Sequence, residues 1–220
     1  MPASPRSLTD AAVAVVGASG GLGHALCSDL EARGAQVLRV GHTSGDCAVD
    51  VRDPEAGSVI VDAARQRFGL LDGVVIASGR VGFGALADTD PAALEELFLV
   101  DALGPLWLAQ AVLPALIETC GFLVNISGVV AEAPIANLAA YCAAKAAVSS
   151  GFGAMAREVR RHGVLVMDAR PPHTETGLAT RPMFGTAPRF PEGLAPTAVA
   201  ARIIDGIASG TAELPAAAFV

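Results

Sequence analysis

Short apolar runs alternate with longer amphipathic runs along the chain, and glycine and proline fall between them. The apolar runs predict strands and the amphipathic runs predict helices. The predicted strands cover residues 12–17, 35–41, 47–51, 72–78, 121–127 and 163–170. The predicted helices cover residues 21–33, 54–68, 91–120, a segment through residue 141 that ends near 162, and residues 198–209. This alternation predicts an α/β fold, a doubly wound parallel sheet in a Rossmann-like three-layer sandwich.

The pattern continues without a second alternating block or an internal repeat, so we expect one domain over residues 1–220. A chain of this length buries about 70% of its unfolded surface, which is enough for one substantial core. We expect residues 1–10 to form a disordered lead-in and residues 171–196 to form a loop over the substrate. The last residues, ELPAAAFV, contribute at most a short edge strand.

Composition narrows the class of protein. Apolar residues make up 52% of the chain, which suits a sheet buried on both faces, and no apolar run reaches the roughly 18 residues of a membrane span. A net charge of −7 and a pI near 5.0 argue against nucleic acid and membranes as partners. Four cysteines without paired spacing predict a reducing compartment and no metal site, and the lack of a hydrophobic leader predicts a cytoplasmic protein.

The segment GASGGLG follows the first predicted strand and opens the first helix. Glycines let the backbone turn tightly there and bring N–H groups close to a pyrophosphate at the helix N-terminus. An ordinary glycine-rich turn is the alternative, but the strand–turn–helix context favours nucleotide binding. We assign five residues of this turn to a cofactor site: Gly17, Ser19, Gly21, Leu22 and Gly23.

The end of the second predicted strand, in the segment VGHTSGD, carries no carboxylate at its tip. An acid at this point would hydrogen-bond the ribose of NAD and repel the extra phosphate of NADP, so the sequence favours NADP over NAD. His42, Thr43 and Ser44 are the candidate phosphate contacts. After the third strand, Asp50 is a candidate acceptor for the adenine amino group or else a solvated turn carboxylate, and Val51 belongs to the same part of the cofactor site.

The segment AAYCAAK contains the only tyrosine and the only lysine of the chain. Tyr141 and Lys145 are four residues apart and therefore share one face of a helix. A nearby ammonium lowers the pKa of a phenol from about 10, so that the tyrosine can exchange a proton with a carbonyl oxygen near neutral pH. A surface pair without a role is the alternative, and it does not explain why the sole lysine falls here.

GASGGLG and YCAAK together resemble the glycine motif and the Tyr-x-x-x-Lys motif of the classical short-chain dehydrogenase/reductase family, over about residues 12–210. The resemblance implies transfer of hydride between NAD(P)(H) and a carbonyl or alcohol of a small, moderately hydrophobic substrate. It implies that Tyr141 is the acid/base, that Lys145 also holds the nicotinamide ribose, and that the protein forms a homodimer or homotetramer. Three more positions match the family's cofactor site: Ser78, Gly79 and Thr176.

Two departures from the family pattern lie close to these motifs. Gly128 stands at the position of the family's substrate-binding serine, thirteen residues before the tyrosine. Ser127 is one residue earlier, and because successive strand side chains point to opposite faces, only a bulge or a turning strand end lets it replace that serine. Asp101 stands at the family's asparagine. It either pairs with the lysine as a fourth catalytic residue or is a carboxylate in a solvated helix kink.

The loop after the sixth predicted strand adds His173, which is either a substrate contact that supplies the missing donor or an exposed histidine. Two alternatives to the oxidoreductase stay open at this point. One is a non-redox lyase or isomerase that uses Tyr141 with His173 or Asp101 as acid and base. The other is a nucleotide-binding protein whose turnover is impaired by the loss of the serine, although the retained Tyr–Lys pair argues against it.

Overall fold

The computed structural model describes residues 6–219, which form a seven-stranded sheet with all strand pairs parallel. The strands are β1 (Ala12–Val16), β2 (Gln36–Gly41), β3 (Cys47–Ala48), β4 (Gly73–Ile76), β5 (Phe122–Ile126), β6 (Leu165–Ala169) and β7 (Glu213–Leu214). Their order across the sheet is β3-β2-β1-β4-β5-β6-β7. The prediction of a doubly wound parallel sheet is therefore confirmed, and the expected short edge strand is β7.

Helices cover both faces of the sheet. They are α1 (Gly21–Ala32), α2 (Ala56–Phe68), α3 (Pro91–Phe98), α4 (Gly104–Glu118), α5 (Ala139–Val159) and α6 (Pro196–Ser209). Alternate residues of β1 point to opposite faces: Val13 and Val15 pack with α1 and α6, whereas Ala14 and Val16 pack with α2, α4 and α5. Both faces are buried, which explains why the strands are continuously apolar.

The predicted helix over residues 91–120 is interrupted at its centre. A π-helical turn, Leu99–Leu103, separates α3 from α4. Pro105 follows in the first turn of α4 and has no N–H to donate to the preceding turn, so the regular hydrogen-bond ladder breaks here. The stretch Pro91–Glu118 is long and apolar enough to cross a membrane by length and composition alone, but half of its apolar 18-residue window is buried inside the fold, as in a core helix.

Residues 6–10 pack against the fold, so the expectation of a disordered lead-in is wrong for them. Arg6 donates hydrogen bonds to the carbonyl oxygens of Cys120 and Gly163, and Leu8 is buried in the core. Residues 1–5 lie outside the described residues. Residues 6–10 therefore lie along the amino-terminal ends of the strands, beside the start of β5 and β6.

Candidate active site

A cavity of about 780 Å³ opens at the carboxyl ends of the parallel strands, where ligands bind in open α/β sheets. Most of the residues chosen from the sequence lie on its wall. These are Gly17, Ser19, Gly21, Leu22, Gly23, His42, Asp50, Val51, Ser78, Gly79, Ser127, Gly128, Tyr141, Lys145, His173 and Thr176. Three chosen residues, Thr43, Ser44 and Asp101, are not on the wall.

The glycine turn between β1 and α1 is packed so closely that larger residues do not fit. Gly17 has φ +85°, and a Cβ there would lie 2.7 Å from the backbone nitrogen of Ser78. A Cβ on Gly21 would lie 2.8 Å from the carbonyl oxygen of Thr176, and one on Gly23 would collide with the carbonyl oxygen of Gly17. The turn therefore brings the loops after β1, β4 and β6 into backbone contact at one side of the cavity.

The donors at this turn are available to a ligand. No side chain within residues 6–219 caps the N-terminus of α1, so its first N–H groups point toward the cavity without a side-chain acceptor. The Ser78 hydroxyl is buried at the cavity wall and has no hydrogen-bond partner among the described residues. A helix N-terminus, a glycine cradle and an unpartnered hydroxyl fit the phosphates and ribose of a dinucleotide.

A charged cluster borders the cavity beside the ends of β2 and β3. Arg52 Nε lies 2.9 Å from Asp50 Oδ1, and its Nη1 lies 2.7 Å from Glu96 Oε1. His42 Nε2 is 3.4 Å from Asp50 Oδ2. Hydrogen bonds from Arg52 hold the pKa of Asp50 down to about 2. Sequence reasoning missed Arg52 and Glu96, although Arg52 is the second residue after Asp50 in VDVRD.

The structure does not bring two of the expected phosphate contacts to this rim. Thr43 and Ser44 are exposed in the loop after β2 and lie outside the cavity wall. Asp46, in the same loop, accepts a hydrogen bond from the backbone N–H of Arg39 at 2.9 Å and pairs with Arg67 at 2.6 Å. These contacts lower the pKa of Asp46 and fix its carboxylate away from the cavity. Only His42 of the predicted trio reaches the wall.

Tyr141 and Lys145 lie on the first turns of α5 and line the cavity together. Lys145 Nζ is 5.8 Å from the centroid of the Tyr141 ring. The ammonium donates a hydrogen bond to the carbonyl oxygen of Ile126 at 3.2 Å and pairs with Asp101 Oδ1 at 3.1 Å. Asp101 has no exposed surface, so its alternative reading as a solvated carboxylate is wrong.

The Asp101 carboxylate changes the acidity of the tyrosine. Burial raises the pKa of Tyr141 to about 12, Lys145 opposes this rise, and the negative charge of Asp101 adds to it. Burial lowers the pKa of Lys145, but attraction to Asp101 and Tyr141 raises it above its usual value. The prediction that Lys145 lowers the pKa of Tyr141 below that of free tyrosine is therefore wrong for this arrangement, because burial of the phenol outweighs the charge of Lys145 and the carboxylate of Asp101 offsets part of that charge.

Ser127 does not replace the missing serine. Its hydroxyl is buried and donates to Asp168 Oδ2 at 2.8 Å. The same carboxylate accepts hydrogen bonds from Asn125 at 2.8 Å and Ser149 at 2.6 Å. Because the single hydroxyl proton is committed to Asp168, the assignment of Ser127 as a catalytic donor is corrected to a residue that supports the end of β5.

Gly128 begins the turn that follows β5, with φ +80° and ψ 165°. This combination is populated almost only by glycine. The space beside it is open, since a Cβ would have the carbonyl oxygen of Pro171 as its nearest neighbour at 3.8 Å. The absence of a serine therefore follows from the backbone of the turn, not from a lack of room.

His173 lies in the loop after β6, one-third exposed, with Nε2 at 3.3 Å from Glu175 Oε1. Its ring stacks on Phe190 with centroids 4.8 Å apart. The rest of this end of the cavity is apolar, with a wall formed by Val81, Phe83, Val129, Val130, Leu138, Leu178 and Phe190. Met183 and Phe184, also in the loop after β6, pack on the segment after β4 and do not line the cavity.

The fold and site define a Rossmann-type enzyme with a Tyr–Lys pair at its dinucleotide cavity. A family model described as short chain dehydrogenase matches residues 11–182, so the chain belongs to that family. It is an NAD(P)-dependent oxidoreductase of this family. The comparisons give no support to the lyase or isomerase alternative or to an impaired binding protein.

Named relatives and solved structures agree with this assignment. An uncharacterized oxidoreductase of Staphylococcus saprophyticus is 26% identical over 212 residues, which cover 87% of this chain and 91% of the relative. A hydroxysteroid 11-beta-dehydrogenase 1-like protein of Macaca fascicularis is 32% identical over 70% of this chain and 60% of its own. A short-chain dehydrogenase structure from Streptomyces avermitilis is 26% identical, with a TM-score of 0.81 over 93% of this chain and 88% of that chain. A Burkholderia cenocepacia short chain dehydrogenase solved with NADP shares the fold, at 21% identity and a TM-score of 0.84 over 96% and 90% of the two chains.

Proposed function

We propose that this protein transfers hydride between NADP(H) and the carbonyl or alcohol carbon of a small, moderately hydrophobic substrate. One observation carries the proposal: the only tyrosine and the only lysine of the chain line the same cavity as the glycine turn. A chance surface pair has no reason to lie there. The apolar wall around Phe83 and Phe190 supports a substrate with little polar surface.

Each residue of the site has a proposed role. When bound, the nicotinamide supplies or accepts the hydride. Tyr141 donates a proton to the carbonyl oxygen during reduction and accepts it during alcohol oxidation. Lys145, fixed by Asp101 and by the carbonyl oxygen of Ile126, holds the nicotinamide ribose. Gly17, Gly21 and Gly23 admit the pyrophosphate to the N-terminus of α1.

The oxyanion of the substrate lacks the side-chain donor that a serine at position 128 would give. By analogy with other oxyanion sites, such a donor is worth about 3–4 kcal/mol of transition-state stabilisation. His173 is our candidate for a substrate contact that supplies part of this transition-state stabilisation. Its ring lines the cavity, and Glu175 orients one of its nitrogens. The remaining stabilisation rests on Tyr141.

NADP is the proposed cofactor, with NAD as the alternative. In support, no carboxylate from the tip of β2 faces the cavity, since Asp46 is tied to Arg39 and Arg67. His42 at the wall offers a nitrogen to a 2′-phosphate, and the charge of Asp50 is balanced by Arg52. Asp50 and Val51 would contact the adenine, and Thr176 the nicotinamide end.

The oligomeric state and location are also proposals. We infer a homodimer or homotetramer, since family members often assemble and several apolar side chains of this chain are exposed, among them Leu103 at 40%. A cytoplasmic location remains a prediction from the sequence.

The test has two stages, cofactor binding and turnover. Nicotinamide fluorescence during titration with NADPH and NADH should show tighter binding of NADPH, and a panel of apolar ketones should then oxidise NADPH. Tyr141→Phe should keep cofactor binding and lower turnover by about 10²–10⁴-fold. Ser150→Ala, which removes an exposed hydroxyl from the same helix, is the control and should retain turnover. An active Tyr141→Phe enzyme, or no binding of either cofactor, would refute the proposal.

A further inference from the structure

The carboxylate of Asp101 forms an ion pair with Lys145. Asp101 lies in the π-helical turn Leu99–Leu103 and has no exposed surface. Asp101 Oδ1 lies 3.1 Å from Lys145 Nζ. The backbone N–H of Arg80 donates to the same carboxylate at 3.2 Å. A Cβ on Gly79 would lie 2.9 Å from Asp101 Oδ1, so the small residue at 79 makes room for the pair.

The other charged groups near the pair do not replace this contact. On the side of β6, Asp168 raises the pKa of Lys145 through its charge, but its oxygens are occupied by Asn125, Ser127 and Ser149. On α5 itself the neighbouring titratable group is Cys142, and after β4 the charge of Arg80 acts on Asp101. His173 lines the same cavity. Asp101 is thus the carboxylate in ion-pair contact with Lys145 within the described residues.

We propose that Asp101 is a positioning residue that holds Lys145 in a buried ion pair and thereby weakens the stabilisation that the lysine gives to a phenolate at Tyr141. A lysine without a carboxylate partner stabilises a phenolate nearby, whereas a lysine in an ion pair presents little net charge to it. Burial also raises the pKa of Asp101, and its attraction to Lys145 opposes that rise and favours the ionised pair.

The consequence for catalysis rests on the proposed function. In carbonyl reduction the O–H bond of Tyr141 breaks, its proton passes to the carbonyl oxygen, and hydride from the reduced nicotinamide forms the C–H bond at the carbonyl carbon. A protonated tyrosine is ready for this step at neutral pH. Alcohol oxidation needs the phenolate as base, so we infer that oxidation rises only toward alkaline pH while reduction holds steady through neutrality.

A single tyrosine makes the proposal testable without a substrate. The ultraviolet absorbance of tyrosinate, followed from neutral pH up to the onset of alkaline unfolding, reports on Tyr141 alone, with Tyr141→Phe as the spectral blank. In the wild-type protein we expect an apparent pKa above that of free tyrosine, about 10. In Asp101→Asn we expect it to fall by about one unit or more. Asp62→Asn, an exposed change of the same charge, should leave it in place.

The single lysine gives a second, independent readout. After reductive methylation with ¹³C-formaldehyde, Lys145 supplies the only side-chain dimethylamine resonance, and in the wild type its pKa should lie above that of free lysine. If Asp101→Asn fails to fold by circular dichroism, this measurement decides the matter, because burial lowers the pKa of Lys145 whereas pairing with Asp101 raises it. A wild-type lysine pKa below that of free lysine would then overturn the proposal. A wild-type tyrosine that titrates at or below about 10, or an unchanged tyrosine pKa in folded Asp101→Asn, would overturn the proposal. Failure of hydride transfer would leave both titrations intact, so the two proposals can fail separately.

Discussion

Replacing Gly128 by serine inserts a side chain at a residue whose backbone only glycine adopts readily. The φ of +80° and ψ of 165° place it where other residues carry strain of about 1–3 kcal/mol. Steric contact adds little, because the nearest atom to a Cβ is 3.8 Å away. We therefore expect Gly128→Ser to lower the free energy of unfolding by about 1–3 kcal/mol, through the backbone alone.

Two glycines elsewhere separate backbone strain from the effect of a new serine. Gly69, at the end of α2, has φ +87° and no atom within 4 Å of a Cβ, so Gly69→Ser should lose about 1–2 kcal/mol. Gly153 lies inside α5, also with nothing within 4 Å, and its φ is not positive. Gly153→Ser should be neutral or gain about 0.5 kcal/mol from helix propensity.

Urea unfolding of the three variants, followed by circular dichroism, measures these differences. The midpoint of Gly128→Ser should fall at least as far as that of Gly69→Ser, with an unchanged dependence on urea concentration. If Gly128→Ser instead behaves like Gly153→Ser, position 128 does not need a positive φ. The explanation for the missing serine would then be refuted.

Two further predictions concern the adenosine side of the cavity. His42→Asp should weaken NADPH binding and strengthen NADH binding in a fluorescence titration, because a carboxylate at the wall repels a 2′-phosphate. Thr43→Asp, outside the wall, should change the ratio of the two affinities much less. Equal effects of the two substitutions would contradict the placement of His42. Asp50 has a folded-state pKa of about 2, below its usual 3.8, so its contribution to stability is complete above about pH 4 and is lost as pH falls toward 2. After screening by solvent it should be no more than about 1 kcal/mol, and Asp50→Asn should flatten this part of the acid unfolding curve.

The architecture was predictable from the sequence because its strands are buried on both faces. Continuous apolar runs such as AVAVV, separated by amphipathic helices, leave little choice of fold class. The break in the long helix was harder to predict. Pro105 marks its position, because proline has no N–H to donate, but nothing in the local pattern shows that the turn before it is π-helical.

In the candidate site, too, residues of local motifs were predictable, and residues whose role depends on distant partners were not. Residues carried by a local motif, such as the glycine turn and the Tyr–Lys pair, reached the cavity as predicted. The role of Ser127 was misjudged because Asp168, which captures its hydroxyl, is 41 residues away in the sequence. The acidity of Tyr141 was misjudged because the phenol is buried, which raises its pKa, and because the charge of Asp101 adds to that rise. The sequence offered Asp101 as a partner of the lysine, but the burial of the phenol and the capture of Ser127 by Asp168 depend on tertiary packing.

The strand order has a consequence for how the chain becomes an enzyme. β1 lies between β2 and β4. The pairings β4–β5, β5–β6 and β6–β7 each join parallel strands that are separated by a helical connection, whereas β2 and β3 are joined by a short loop. Parallel pairings over such distances close slowly and leave apolar strand edges exposed while they wait. The glycine turn follows the first strand, and the helix that carries Tyr141 and Lys145 follows the fifth. The two motifs thus lie on opposite sides of β4, and a chain that stalls halfway through folding has neither a complete cavity nor protection against aggregation.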